Sequence, residues 1–106
     1  MTITNYIIRH RKSDTYAVSH DWFVGQFKSK YQATPYLFKN LEQAKGSITV
    51  AIHRYKRSKS NRYVNQQTIE FAVEFLMDLE VLEVEIVQKF DEAKMVYSSM
   101  FFADRI

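Results

Sequence analysis

The segment from Leu41 to Tyr55 limits what this chain can fold into, because it predicts one long amphipathic helix. Its apolar residues recur at steps of three and four, which places them along one side of an α-helix. They are Leu41, Ala44, Ile48, Ala51, Ile52 and Tyr55. Asn40 precedes them and can accept the unpaired N–H groups of the first turn, with Gln43 completing a capping box. An apolar stripe must be covered, so we expect this helix to lie on a sheet.

The opposite side of the same helix carries Gly46 and Val50, one turn apart. A glycine inside a helix costs about 1 kcal/mol relative to alanine. We therefore expect another element to approach the helix closely at this point. A second packing seam inside the fold is the prediction, and a groove that binds a partner is the alternative.

A second helix is predicted after Asn65, over the sequence QQTIEFAVEFLMDL. Its apolar residues cover more than one side, and its polar stripe consists of Glu70, Glu74 and Asp78. We therefore expect this helix to be largely surrounded by protein. If part of its apolar surface is exposed instead, that part would be an interface, for example of a homodimer.

Strand patterns lie on both sides of the two helices. They cover Asn5–Arg11, Thr15–His20 after a turn at Lys12–Asp14, a short stretch at Tyr36–Lys39, and Val81–Phe90, where Leu82, Val84 and Ile86 alternate with outward Glu83 and Glu85. Residues 91–106 fit a strand or a helix, and their β-rich composition slightly favours a strand. The order predicts one α+β domain over residues 1–106. We expect a mostly antiparallel sheet, with an N-terminal hairpin and a C-terminal strand or hairpin, and two central helices packed on one face.

Several compartments and functions are disfavoured by what the chain lacks. Without cysteine there are no disulfides and no thiolate sites, which fits a reducing compartment. The N-terminal sequence has no apolar core of a secretory signal, and no apolar run approaches the length of a membrane span. We therefore expect a cytoplasmic protein, in the host cell if the chain is phage-encoded.

The net charge of +3 hides an uneven distribution. Residues 1–62 contain twelve Lys and Arg against three Asp and Glu, a net of +9, whereas residues 63–106 contain three against nine, a net of −6. Such asymmetry predicts either a bipolar molecule or two halves that neutralise each other in the fold.

Catalytic and metal-binding patterns are weak. His10, His20 and His53 do not have the helical spacing of metal ligands. Ser19-His20-Asp21 holds the residue types of a hydrolase triad, but neighbouring residues of a strand point to opposite faces, so they cannot hydrogen-bond in series as a triad does. A cluster of acids could hold Mg²⁺ but is more simply a solvated face. It consists of Asp78, Glu80, Glu83 and Glu85. With no glycine-rich phosphate loop either, we expect no cofactor, no metal and no enzyme activity.

A run of cations with interleaved tyrosines is the clearest candidate for a binding surface. Basic side chains neutralise phosphates or acidic proteins, and tyrosines can stack on bases. The candidate residues are Arg54, Tyr55, Lys56, Arg57, Lys59, Arg62 and Tyr63, with Lys28 and Lys30 as an extension. A solvated helix end, whose cations complement the helix dipole or pair with the acidic half, is the alternative.

Three packing patterns resemble those of small phage-encoded proteins of unassigned or accessory function. They are Asn5-Tyr6-Ile7-Ile8-Arg9, then Tyr36-Leu37-Phe38 ahead of LEQAKGSI, then Val84-Glu85-Ile86-Val87. Such proteins often run strand or hairpin, helix, strand, and the segment from Ser58 to Leu79 is an addition to that order. The resemblance carries over no catalytic residue. It implies an accessory role, such as binding and inhibiting a host defence enzyme.

These observations together predict a non-enzymatic interaction protein of phage type. Its basic face would bind and modulate a host protein or nucleoprotein complex that processes nucleic acid. Direct binding of DNA or RNA is the alternative, and the homodimer suggested by the second helix stays open.

Overall fold

The computed structural model describes residues 4–58, 66–85 and 94–99, and it has the α+β architecture that the sequence predicts. Four strands form one antiparallel sheet in the order β2-β1-β3-β4. The strands are β1 (Thr4–His10), β2 (Thr15–Tyr16), β3 (Leu79–Glu85) and β4 (Lys94–Ser98), and the helices are α1 (Leu41–Ser58) and α2 (Gln66–Leu76). Lys94–Ser98 is therefore a strand, which decides between the two alternatives for this part of the C-terminal segment.

Helix α1 begins and packs as its sequence pattern indicates. Asn40 Oδ1 accepts the backbone N–H of Gln43 at 2.8 Å, so the first turn is capped. The apolar stripe lies over β1 and β3. Ala44, Ile48, Ala51 and Ile52 are buried in the main core with residues of α2 and of the sheet, and Leu41 and Tyr55 are half-buried against it. This core includes Ile8, Phe38, Ala44, Ile48, Ile52, Ala72, Leu76 and Val81.

The sheet buries apolar residues on both of its faces. Adjacent residues of a strand point to opposite sides, so Ile8 and Val81 face the helices while Ile7 and Leu82 do not. A second buried cluster on the far face contains Ile7, Tyr16, Leu82 and Val84. The prediction that Leu82 and Val84 face one core, with the other side of the strand outward, is therefore incomplete. Ile86 and the rest of the predicted strand to Phe90 lie outside the described residues.

The N-terminal hairpin is shorter than predicted. Only Thr15 and Tyr16 pair with β1 as a strand, and the turn before them places Asp14 at φ 53°. The chain then leaves the sheet and continues through an irregular segment with a short 3₁₀ helix at Val24–Gln26. The third predicted strand, Tyr36–Lys39, is reduced to one bridge between Phe38 and Tyr6. The irregular segment that follows β2 lies against α1 and forms one wall of an open groove.

Helix α2 is less enclosed than predicted. Ala72 and Leu76 are buried in the main core, but Glu70, Phe71 and Glu74 are exposed. The helix ends at Leu76, and Leu79 already belongs to β3. Its outer side therefore presents the aromatic ring of Phe71 and the carboxylates of Glu70 and Glu74.

Candidate functional site

An open groove of 540 Å³ lies along the outer side of α1, where the irregular segment after β2 passes the helix. The helix contributes Gln43, Gly46, Ser47, Val50, Ala51 and Arg54, and the segment contributes His20, Asp21, Trp22 and Phe23. We call this feature the α1 groove. It lies next to the positions where the sequence predicts a binding surface.

Gly46 lies at the groove with open space in front of it. A Cβ atom built on Gly46 would meet nothing within 4 Å. The predicted packing seam on this side of α1 is therefore wrong for the described residues, because none of their elements covers the glycine. The structure instead has an open groove on this side, lined by both Gly46 and Val50, and the alternative, that such a groove binds a partner, stays a prediction.

Trp22 fixes the opposite wall of the groove to the helix. Its indole Nε1–H donates to Ser47 Oγ at 3.1 Å, and the Ser47 hydroxyl donates in turn to the carbonyl of Ala44 at 3.0 Å. The buried Trp22 ring also packs edge-on against Phe27, with centroids 5.2 Å apart, and Phe27 packs edge-on against Phe75 of α2 at 4.9 Å. These contacts hold the segment in place beside α1, so the groove is a built feature of the fold.

Phe23 and Val50 give the groove its exposed apolar surface. Phe23 is 50% exposed and Val50 is 55% exposed. Gln26 Oε1 accepts the backbone N–H of Phe23 at 3.2 Å, which closes the 3₁₀ turn and holds the aromatic residue in position. The guanidinium of Arg54 lies 5.7 Å from the centroid of the Phe23 ring, a cation–π distance. The groove thus combines apolar contact area with a positive charge at Arg54 and a negative charge at Asp21, on its opposite wall.

The predicted site residues are found in three places. Arg54 and Arg57 are exposed on α1, and both also interact with other residues of the chain. Tyr55 is half-buried against the main core, so part of its ring is used in packing. Lys56 belongs to α1, but its side chain lies outside the described part, as do Lys59, Arg62 and Tyr63 entirely.

Lys28 and Lys30 lie elsewhere, at the β2 edge of the sheet. Lys28 pairs with Tyr16 through two backbone hydrogen bonds of 2.7 and 3.0 Å. The ammonium of Lys30 lies 5.5 Å from the centroid of the Tyr31 ring, which is 89% exposed. Of the predicted cations with described side chains, the one that lines the α1 groove is Arg54.

Part of the charge asymmetry is neutralised inside the fold. Arg9 lies 2.8 Å from Asp14 and 3.5 Å from Glu80, and Arg11 Nε lies 3.2 Å from Asp78 Oδ1. Two of these ion pairs, Arg9–Glu80 and Arg11–Asp78, join the basic half to the acidic half, so the second alternative, that the halves neutralise each other, holds locally at this end of the sheet. Among the residues of 4–58, 66–85 and 94–99, no three metal-ligand side chains come together.

A Ser–His–Asp constellation that the sequence patterns did not predict lies at the β1–β2 turn. His10 Nδ1 and Ser13 Oγ are 2.6 Å apart, and His10 Nε2 lies 3.7 Å from Asp78 Oδ2. Burial lowers the pKa of His10, an effect that the nearby Asp78 carboxylate opposes, and Lys12 lowers it further. The register of β1 with β3 brings Asp78 here, and no local pattern signals that register.

The distances in this constellation indicate a structural role. A catalytic triad needs a hydrogen bond between the carboxylate and the histidine, and 3.7 Å is too long for one. Asp78 Oδ2 instead accepts the backbone N–H of Lys12 at 2.8 Å, and the ring of His10 stacks on Phe75 with centroids 3.9 Å apart. The carboxylate therefore holds the turn, and His10 connects β1 to α2.

The other Ser–His–Asp sequence, Ser19-His20-Asp21, is not in a strand, so the pleat argument against it does not apply. His20 Nδ1 lies 3.1 Å from Asp21 Oδ1, and both side chains are exposed. His20 and Asp21 line the α1 groove, where they add polar groups to its wall.

Comparisons with known proteins found no match for this chain. No protein-family model, no curated protein and no solved structure matches the chain. Within the described part of the chain, neither helix is long and apolar enough to cross a bilayer.

Proposed function

We propose that this protein is a non-enzymatic interaction protein whose α1 groove binds an acidic segment of a partner protein. The segment would insert an apolar side chain between Phe23 and Val50 and place its carboxylates near Arg54. The observation that carries the proposal is the open groove at Gly46, with two half-exposed apolar residues beside an arginine.

The apolar part of the groove supplies affinity. Complete burial of a Val or Phe side chain is worth about 1.5–3 kcal/mol, so covering the exposed halves of Val50 and Phe23 contributes roughly 1 kcal/mol each. The inserted side chain of the partner contributes its own burial. Because Trp22 is already hydrogen-bonded to Ser47, this wall loses little conformational freedom when a partner binds.

The charges of α1 select the partner. Arg54 and Arg57 are exposed over the last turns of the helix. Charge complementarity raises association rates and disfavours wrong partners more than it raises affinity. A partner that presents carboxylates beside its apolar anchor fits this surface better than a basic or uniformly apolar partner.

The resemblance to accessory phage proteins suggests which partner this is. The protein would bind and modulate a host protein or nucleoprotein complex that processes nucleic acid. The resemblance implies that it inhibits a host defence enzyme by binding to it. Support comes from the patterns at Asn5–Arg9 and Tyr36–Phe38 and from the basic residues of α1.

A binding titration with matched variants tests the proposal. The probe is a fluorescent acidic peptide with one central phenylalanine, compared with a peptide in which serine replaces that phenylalanine. We expect Val50→Asp and Arg54→Glu each to weaken binding of the first peptide by about tenfold. Met95→Asp changes another exposed apolar residue, and Lys39→Glu makes the same charge change outside the groove, so both should bind like the wild type. Equal affinity of all four variants would refute the proposal.

Capture from host lysate then addresses the natural partner. Wild-type protein and the Val50→Asp variant are compared as baits, each with and without nuclease treatment. A protein retained by the wild type, lost with Val50→Asp and unaffected by nuclease fits the proposal. Retention that disappears after nuclease treatment indicates a nucleic-acid bridge.

Single-stranded nucleic acid is a second candidate, favoured by one observation. Two exposed aromatic rings each lie near a cation, Phe23 near Arg54 and Tyr31 near Lys30. Stacking of a base on such a ring is worth about 1–3 kcal/mol. An oligonucleotide titration tests this candidate, since log K should fall with log[salt] by about 0.7 per phosphate contact. Tyr31→Ser should weaken binding, and unchanged anisotropy of oligonucleotides at low salt would eliminate this function.

A further inference from the structure

The outer side of α2 carries an aromatic knob. Phe71 is 63% exposed, and its ring lies 6.4 Å from that of the half-buried Phe75. Glu70, the residue before Phe71, and Glu74, three residues after it, are both exposed. In a helix, residues three apart are neighbours on the surface, so Phe71 lies beside Glu74, whereas Glu70 and Phe71 do not face each other. Phe71 is therefore an apolar side chain presented beside the Glu74 carboxylate.

The chemistry of this knob is the chemistry that the α1 groove accepts. The groove offers Val50 and Phe23 for an apolar side chain and Arg54 for a carboxylate. The knob offers Phe71 for the first and Glu74 for the second. One molecule thus carries both halves of a complementary pair, one on each helix.

We propose that the α1 groove also receives Phe71 of a second copy of this chain, with Glu74 of that copy placed against Arg54. This inference rests on the proposed function, because it uses the same groove and the same contacts. It names one occupant, a second copy, on the ground of the match in charge and apolar character.

The placement of the two helices favours a closed pair over an open chain. Residues of α1 and α2 share the main core with Ile8 and Val81, so both helices cover the same face of the sheet. Their exposed residues therefore lie on the outer side of one helical layer. Two copies that meet through this layer can each insert a knob into the groove of the other, which gives a two-fold dimer.

Self-association through the groove would compete with the partner. A groove filled by Phe71 of a second copy cannot accept another apolar side chain. The dimer is then a storage form, and an acidic partner segment releases the monomer. Addition of the acidic peptide should shift the dimer towards monomer in proportion to its occupancy of the groove.

Charge reversal across the two surfaces provides the test, with sedimentation velocity as the measurement from low micromolar to near-millimolar protein. We expect the wild type to change from monomer to dimer over this range. Phe71→Ser should weaken self-association by about tenfold. Arg54→Glu and Glu74→Arg should each remain monomeric, since each places like charges together in its own dimer.

Mixing the two charge variants is the decisive arm. In a mixed pair, Glu at position 54 of one copy meets Arg at position 74 of the other, while the remaining groove keeps its native Arg54 and Glu74. We therefore expect an equimolar mixture to form a heterodimer although neither variant dimerises alone. Met95→Ser, an exposed apolar residue away from the groove, should dimerise like the wild type.

Two results would overturn the inference. One is a wild type that stays monomeric at every concentration, and the other is a mixture of the two charge variants that stays monomeric. Self-association that Phe71→Ser leaves unchanged would overturn it as well. Titration of the Phe71→Ser variant with the acidic peptide separates this failure from failure of the proposed function. If that variant binds the peptide normally, the groove keeps its proposed function even when self-association is refuted.

Discussion

Replacement of Gly46 by alanine should stabilise the protein, because the groove leaves this glycine uncovered. Gly46 lies inside the 18-residue helix α1, and a Cβ atom at this position would meet nothing within 4 Å. Alanine therefore gains its full helix propensity over glycine, about 1 kcal/mol, without a steric cost. For a domain of about this size, 1 kcal/mol raises the melting temperature by roughly 4–8 °C.

Thermal unfolding followed by circular dichroism, together with urea denaturation, measures this gain. Gly46→Ser is the comparator, and we expect it between glycine and alanine because serine has an intermediate helix propensity. The alanine variant should also show weaker binding of the acidic peptide, since its methyl group extends into the groove. A Gly46→Ala protein that is no more stable than the wild type would refute the open groove, because another element must then lie against the glycine.

Three further measurements test the cap of α1 and the contacts of Asp78 and His10 at the β1–β2 turn. Asn40→Ala should lower the free energy of unfolding by about 1 kcal/mol, because Asn40 Oδ1 caps α1. Asn40→Asp keeps a capping oxygen and should retain the stability, so equal losses in the two variants would exclude capping. Asp78→Ala should cost about 1–3 kcal/mol, because it leaves the backbone N–H of Lys12 without its acceptor; a loss below about 0.5 kcal/mol in urea denaturation would contradict this role. His10 should make the free energy of unfolding fall as the pH drops below 6.5. Burial lowers the pKa of His10 in the folded state, so between pH 6.5 and that lowered pKa the unfolded chain binds more protons than the folded chain. Urea denaturation of wild type and His10→Gln between pH 5 and 7.5 measures the difference, and parallel pH profiles would show that His10 carries no such linkage.

The elements with strong local patterns were predictable from the sequence. The stripe from Leu41 to Tyr55 and the cap at Asn40 place α1, and the alternation through Leu82 and Val84 places β3. Each pattern reflects contacts with the nearest layer of the core, which recur at a fixed spacing along the chain. The α+β class follows from the order of these elements.

The shortened hairpin was not predictable, because its length depends on contacts far along the chain. Tyr16 pairs with Lys28 on its outer edge, and Ala17 N–H still bonds to the carbonyl of Ile8 while the chain turns away. No period in the sequence marks the residue at which a strand leaves a sheet. The same holds for the irregular segment with Trp22, whose position is set by a hydrogen bond to Ser47 and by ring contacts through Phe27.

The candidate site was half predictable. Gly46, Val50 and Arg54 stand out on the helix because a glycine and an uncovered valine are unusual beside a basic helix end. The second wall, with Trp22 and Phe23, has no periodic signal. Its approach to α1 is a tertiary contact, so the sequence indicated one side of the groove without the other.

The most direct test of the central claim is a map of where an acidic, phenylalanine-containing peptide contacts the protein. Two-dimensional ¹H–¹⁵N NMR spectra recorded during a titration of the wild type provide this map residue by residue. We expect the largest shift changes at residues 20–23 and 43–54, and we expect Val50→Asp to abolish them. Shift changes confined to the β2 edge near Lys28 and Tyr31, or changes that persist in Val50→Asp, would contradict the groove as the binding site.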